Sequence, residues 1–288
     1  MLVKDKNSHT IPVFFHIPRC SGTYTISLMH ELLRIYADCV YNPEKLDTIA
    51  NVAIKTDEGK IAFRVLIHDP ERIIFKSRIV KKNAIPTHYF LNIKDLDILK
   101  DLFVFSIVVE PFGFKTQKSF LEFFDKKTKK FIIIRTTISR AFSLYTYSKI
   151  SKSKHEPVHK KFQNLTFEEY VTSSKFESNW LIKNILNLPN NTNITEKEYK
   201  DAVDFFSNFD VFDIKNSSTG IDNIFKKYRK VSTVDMNTNS HKRLEGFRNS
   251  SSPIEFVEEK LSEETRKVFS ERSFWDTKLY KTLLNIKD

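Results

Sequence analysis

The sequence predicts an α/β fold: a parallel β-sheet flanked by helices, followed by a mostly helical second half. Three observations lead there. Residues 11–17 (IPVFFHI), 103–109 (FVFSIVV) and 130–135 (KFIIIR) are short apolar runs of the length and bounding expected of buried strands. Each run passes within a few residues into a stretch of helical apolar spacing, and strand-then-helix units in series are the pattern of a parallel sheet. Beyond about residue 150 the spacing is almost wholly helical.

In chain order, the strand at 11–17 is bounded by Pro18, and a helix over 21–37 follows. Ile26, Met29, Leu32, Leu33 and Tyr36 mark its apolar face, and Ser21 or Thr23 can cap its start. Residues 61–80 read as two strands around the turn signal Asp69-Pro70. The strand at 103–109 leads through Pro111 and Gly113 to a helix over 115–124, and the strand at 130–135 leads to a helix over 137–149. The second half predicts helices over 166–173, 179–186, 195–206, 221–230 and 254–271, with short strands near Val211 and Val231. Residues 187–193 and 249–253 are loops by composition, and no repeat or linker divides the chain. One domain over 1–288 is expected, with an α/β core at 11–150 and a helical part at 151–288.

A chain of 288 residues can bury a full core, and 40% hydrophobic with 29% charged residues excludes a disordered chain. The 26 Phe residues predict a Phe-rich core. The 47 Lys and Arg against 36 Asp and Glu leave a formal charge of +11. That charge suits a nucleic acid, a solvated lysine surface or a phosphorylated ligand, and does not separate them. Cys20 and Cys39 form neither a C-x-x-C pair nor a zinc spacing. The N-terminus lacks the apolar centre of a signal peptide, and no apolar run reaches the ~20 residues of a membrane helix. A cytoplasmic protein without a transmembrane segment is expected.

Two strand–loop–helix junctions carry the chemistry. The first is Phe15-His16-Ile17-Pro18-Arg19-Cys20-Ser21-Gly22-Thr23-Tyr24-Thr25. Such a junction turns backbone N–H groups to one point, and the helix dipole adds positive potential there. Gly22, one of only five glycines, stands where the backbone would approach a ligand, and Arg19, Thr23 and Thr25 are donors suited to phosphate oxygens. The loop is not the G-x-x-x-x-G-K-[ST] phosphate loop. In the second junction Arg135 ends a strand, the place where open α/β sheets bind ligands. Arg140 and Ser143 follow three apart, on one helix face.

Together these junctions resemble the sulfotransferases that use 3′-phosphoadenosine 5′-phosphosulfate (PAPS), and most closely the carbohydrate type that includes the heparan-sulfate 2-O-sulfotransferase-like branch. The family's first signature, F-x-H-I-P-K-[TS]-[GA]-G-T-[ST], is matched by Phe14, His16, Ile17, Pro18, Gly22, Thr23 and Thr25, with Tyr24 in a usual hydroxyl slot. Its second, R-[DP]-P-x-x-R-x-x-S-x-Y, is matched by Arg135, Arg140, Ser143 and Tyr145. Arg19 replaces the family Lys, Cys20 and Ser21 replace Thr and Gly or Ala, and Thr136-Thr137 replace Asp-Pro. Residues 165–170, Asn179 and the segment 276–280 look like later landmarks, so the likeness runs over about residues 11 to 281.

The resemblance implies a P-loop-like parallel sheet and transfer of a sulfuryl group from PAPS to a hydroxyl or amine, with a glycan as the leading acceptor and no metal. It implies that Arg19, Cys20, Ser21, Gly22, Thr23, Tyr24 and Thr25 hold the 5′-phosphosulfate end, with Arg19 catalytic at the bridging oxygen. Arg135 and Ser143 would bind the 3′-phosphate, residues 237–243 would form a lid, and His16 would pack beneath the first loop. The general base would be Glu110, directly after the 103–109 strand, with His88 or His68 as the alternatives. A P-loop-like nucleotide kinase is the competing enzyme reading, opposed by the missing Gly-Lys-Ser/Thr. A basic nucleic-acid-binding module is the non-enzymatic one, and no zinc-finger, RNP or basic-zipper pattern supports it.

Overall fold

The computed structural model describes residues 10–22, 24–26, 28–29, 32, 47–56, 59–68, 88–91, 103–109, 128–150, 164–173, 178–231 and 261–286. The chain forms two compact units, one of residues 1–133 with 215–253, the other of residues 134–214 with 254–288.

The first unit is built on a sheet. Its strands are β1 (Ile11–Phe15), β2 (Asp47–Thr56), β3 (Gly59–His68), β4 (His88–Leu91), β5 (Phe103–Val109) and β6 (Thr128–Ile134), and they lie in the order β4-β2-β3-β5-β1-β6. β1 runs parallel to both neighbours, with Phe15 opposite Val109 of β5 and Ile132 of β6. The C-terminal ends of these three strands therefore share one sheet edge, as the sequence predicts. All five residues of β1 are buried, and so are Ile107 to Val109 and Phe131 to Ile134. Strands covered on both faces read as unbroken apolar runs rather than alternating ones. Phe14 stacks on Phe131 at 5.2 Å, which places the expected Phe-rich core across the β1–β6 pair.

In the outer half of the sheet, β3 takes up the first of the two strands expected around Asp69-Pro70, and the second lies outside the described residues. β2 and β3 pair antiparallel, and Thr56↔Gly59 is the closing pair. β3 runs antiparallel to β5, and β4 parallel to β2, so the sheet is mixed beyond its parallel centre. β2 (DTIANVAIKT) is poor in aromatic residues and carries Asp, Asn and Lys, which lowers its strand signal. After β1 the chain is helical at residues 22, 24–26, 28–29 and 32. Residues 69–87, the helix expected over 115–124 and Cys39 lie outside the described residues.

Helix α1 (Thr137–Ile150) opens the second unit. There follow α2 (Phe167–Thr172), α3 (Trp180–Ile185), α4 (Glu196–Phe206) and strand β7 (Phe209–Asp213). Helix α5 (Ser217–Val231) belongs to the first unit, and α6 (Glu263–Arg272) and α7 (Phe274–Leu283) complete the second. Val231 ends α5 rather than starting the strand expected there, and the expected helix over 254–271 is described from α6 onward, with Ser273 dividing it from α7. Ala141, Phe167, Tyr170, Val171, Leu261 and Phe269 form the unit's buried cluster. Among the described residues no helix is long and apolar enough to cross a membrane.

Local chemistry sets the helix starts. Thr166 and Thr195 cap α2 and α4 in capping boxes, each Thr oxygen accepting from the helix and Glu169 or Glu198 returning to the cap backbone. The Glu198 carboxylate accepts from the Thr195 hydroxyl and N–H, and Glu168 accepts from the Ser262 N–H at 2.6 Å. These bonds to the charged forms hold both carboxyls below their ordinary value of 4.5. A depressed folded-state pKa adds stability that is complete above 4.5 and fades as pH falls through the folded value. The stability gap between wild type and a Glu168→Gln/Glu198→Gln variant should therefore narrow as denaturant titrations move from pH 6 to pH 3, roughly across that range. A gap independent of pH would refute it.

Candidate functional site

The first junction takes a constrained path out of β1. His16 N–H donates to Val109 C=O at 2.9 Å, which holds the strand's exit against β5. Cys20 N–H donates to Ile17 C=O at 3.1 Å, so residues 17–20 close a four-residue turn with Pro18 at its second position. Arg19, at the third position, has φ 66°, and Ser21 has φ 63°. A turn with Pro second and a positive φ third is type II, which favours glycine there. Two L-residues in left-handed conformations two positions apart cost about 1–2 kcal/mol each. They persist only where the surroundings over-determine them, and such strain clusters at ligand sites. Thr25 N–H donates to Ser21 C=O at 2.9 Å, the first bond of the helix.

The side chains of this loop divide. Arg19 and Ser21 are half-buried, whereas Cys20, Tyr24 and Thr25 are buried. Among the described residues the enclosed Thr25 hydroxyl has no hydrogen-bond partner. What the loop offers toward an anion is thus the Arg19 guanidinium and the N–H groups of the helix start. That donor set suits a phosphate or phosphosulfate. Thr23 lies outside the described residues. A Cβ at Gly22 would lie 1.7 Å from His16 Nε2, so the glycine makes room for the imidazole.

In the second junction, Arg135 follows β6 directly and is half-buried. Thr136 accepts from Ser139 N–H at 3.4 Å, which caps α1, and Thr137 shares a 3.0 Å hydroxyl bond with Thr277 of α7. Ser143 is half-buried on the second turn of α1. Tyr145 donates to Leu165 C=O at 3.1 Å and packs on Phe167, so this motif tyrosine is a packing residue. Arg140 is 7% exposed, and its guanidinium lies over the Trp180 ring at 4.3 Å. The second arginine of the motif therefore serves the interior of its unit.

Arg140 belongs to a buried network that sequence spacing does not display. Asp276, 2% exposed, accepts from Leu181 N–H at 2.8 Å and from Ile182 N–H at 3.1 Å, at the start of α3. Asn179 Oδ1 accepts in return from Trp275 and Asp276 N–H, at the start of α7. Each helix thus supplies the acceptor that satisfies the other's first-turn donors. Burial pushes the Asp276 carboxyl above its ordinary value, while the two N–H donors and the charges of Arg140 and Lys183 pull against that. Asn179 and Asp276 were legible only as landmarks of the resemblance.

Among the candidate bases, Glu110 lies outside the described residues, one position beyond β5. His88 opens β4 opposite Ile49 of β2, and His68 ends β3 opposite Phe103 of β5. The candidate lid at 237–243 lies outside the described residues.

No family model matches the chain, and no curated protein matches it. Among solved structures, the chain is similar to mouse sulfotransferase SULT7A1 complexed with PAP, at 10% identity and a TM-score of 0.40, over 99% of this chain and 93% of that one. A score that low carries no functional inference.

Proposed function

We propose that this chain is a PAPS-dependent sulfotransferase, one domain over 1–288 acting on a hydroxyl or amine of a glycan. The observation that carries the reading is the first junction. A buried strand passes through a strained turn bearing Arg19 into a helix start, the arrangement that oxyanion binding requires. The spacing Arg135, Arg140, Ser143, Tyr145 after a second buried parallel strand supports it. The carbohydrate branch, including its 2-O-sulfotransferase-like members, is favoured by the His16-Ile17-Pro18 run of the first signature.

In this reading the acceptor oxygen attacks sulfur, and the bond from sulfur to the bridging phosphate oxygen breaks. The acceptor proton passes to a base, and 3′-phosphoadenosine 5′-phosphate (PAP) departs. Arg19 and the helix-start N–H groups stabilise the charge that grows on the bridging oxygen. Arg135 and Ser143 hold the 3′-phosphate and fix the donor's orientation. Glu110, one position beyond β5 in sequence, takes the proton, and burial in a closed cleft would raise its basicity toward neutral pH.

Transfer from PAPS onto a panel of sulfate-free glycans tests the reaction, and ATP phosphotransfer without sulfuryl transfer would favour the kinase instead. Glu110→Gln should lower kcat by roughly 10²–10⁴-fold while PAP affinity stays within about twofold. If His88→Ala does this and Glu110→Gln does not, the base is His88.

A further inference from the structure

We propose that His16 is a positioning residue, whose imidazole holds the Arg19–Ser21 turn in its strained form and so places the Arg19 guanidinium. The inference rests on the sulfotransferase reading above and adds to it a residue outside the phosphate-binding set. His16 and Gly22 bracket the turn in sequence and meet in space. The ring occupies the volume that any side chain at residue 22 would need, 1.7 Å from the ideal Cβ position. The ring also stacks on Phe14, with centroids 5.9 Å apart and planes at 30°. Phe14 is itself fully buried and stacked on Phe131, so the wedge stands on the rigid core of the sheet.

The backbone of His16 is held as well, through its N–H bond to Val109. One residue thus ties the end of β1, the end of β5 and the first residue of the helix. Between the two anchor points lie Arg19 and Ser21, both at positive φ. Left to themselves, both residues would relax toward ordinary φ, and the turn would unwind. The imidazole against Gly22 fixes the approach of the helix start, and the bonds Cys20 N–H to Ile17 C=O and Thr25 N–H to Ser21 C=O then leave the turn no room to do so. Removing the ring frees Gly22 to shift, and a displacement of about 1 Å in a charged positioning group can cost up to ~10²-fold in catalysis.

The test is calorimetric titration of PAP into wild type, His16→Ala, Gly22→Ala and the His16→Ala/Gly22→Ala double variant, with melting temperatures on the same samples. His16→Ala should bind PAP about 10-fold or more weakly, with a raised donor KM and an unchanged acceptor KM. Gly22→Ala should be worse, because its methyl meets the ring. The double variant should bind at least as well as His16→Ala, because the new methyl enters vacated space, and residues in contact give non-additive cycles. His16→Asn, which retains a smaller planar group, should fall between wild type and His16→Ala. It supplies the comparison if the alanine variant does not fold.

His16→Ala or His16→Asn binding within twofold of wild type would overturn the proposal, as would a double variant worse than the product of the two single effects. Wild-type protein that fails to bind PAP would overturn the sulfotransferase reading and this role with it. Wild-type binding with indifferent His16 variants would overturn the positioning role alone.

Discussion

Replacing Asp276 with Ala should lower the stability of the fold by about 3–5 kcal/mol, the range for removing one partner from a buried charged network. The carboxylate accepts two backbone N–H bonds at the start of α3 and lies in the field of Arg140 and Lys183. Its loss leaves the Leu181 and Ile182 N–H groups buried with no acceptor and deprives Arg140 of a nearby negative charge. Asp276→Asn separates the two contributions, since one amide oxygen can still accept while the NH₂ group faces a donor. Its cost should be smaller, about 1–3 kcal/mol. Glu196→Gln is the control, because the Glu196–Lys278 pair at 3.2 Å is 51% and 40% exposed at the side chains. An exposed pair contributes at most about 1 kcal/mol. Denaturant unfolding of the three variants reads the differences. An Asp276→Ala cost no larger than that of Glu196→Gln would show that α3 and α7 do not depend on their reciprocal caps.

Arg19→Gly should stabilise the protein and disable it. Residue 19 has φ 66°, which glycine adopts without the ~1–2 kcal/mol that an L-side chain incurs. Against this stands the larger entropy that glycine gains in the unfolded chain, roughly 0.5–1 kcal/mol, so the net gain is about 0.5–1 kcal/mol. In the proposed reaction the same change removes the guanidinium that would stabilise the bridging oxygen. Losing one such donor costs about 10²–10³ in kcat. Arg19→Lys keeps both the charge and the strain, so it should retain the wild-type stability and most of the rate. Arg19→Gly that lowers stability would contradict the turn geometry, and Arg19→Gly with wild-type turnover would contradict the role of the side chain.

The legible parts of the fold were those where one local signal governs. Buried runs such as PVFF and FIII have no polar alternation, and both are central parallel strands. Helix starts marked by Thr followed three residues later by Glu, at Thr166 and Thr195, appear where capping chemistry predicts them. The β2–β3 hairpin was not legible, because Asp, Asn, Ala and Lys interrupt the β-branched residues of β2, and its pairing with β3 is a tertiary effect. The helix end expected at 271 falls within one residue of the last residue of α6, whereas α7 beyond Ser273 was read only as the landmark segment 276–280.

At the candidate site, the residue types were readable and the division of labour was not. Arg140 stands in the motif beside Arg135, yet it packs on Trp180, a residue 40 positions away whose approach no spacing announces. Gly22 stood out by scarcity, and no spacing announced that the imidazole of His16 fills the space a side chain there would need. The left-handed φ values of Arg19 and Ser21 carried no sequence signal, because neither residue is Gly, Asn or Asp.

The most direct test of the central claim is calorimetric titration of PAP into wild type, Arg135→Ala and Ser143→Ala. The sulfotransferase reading predicts binding by wild type and a loss of about 10- to 100-fold in Arg135→Ala, the worth of charge-assisted hydrogen bonds to a phosphate. Ser143→Ala should lose about 3- to 10-fold, the worth of one neutral hydrogen bond. Wild-type protein that does not bind PAP, or variants that bind as wild type does, would contradict it.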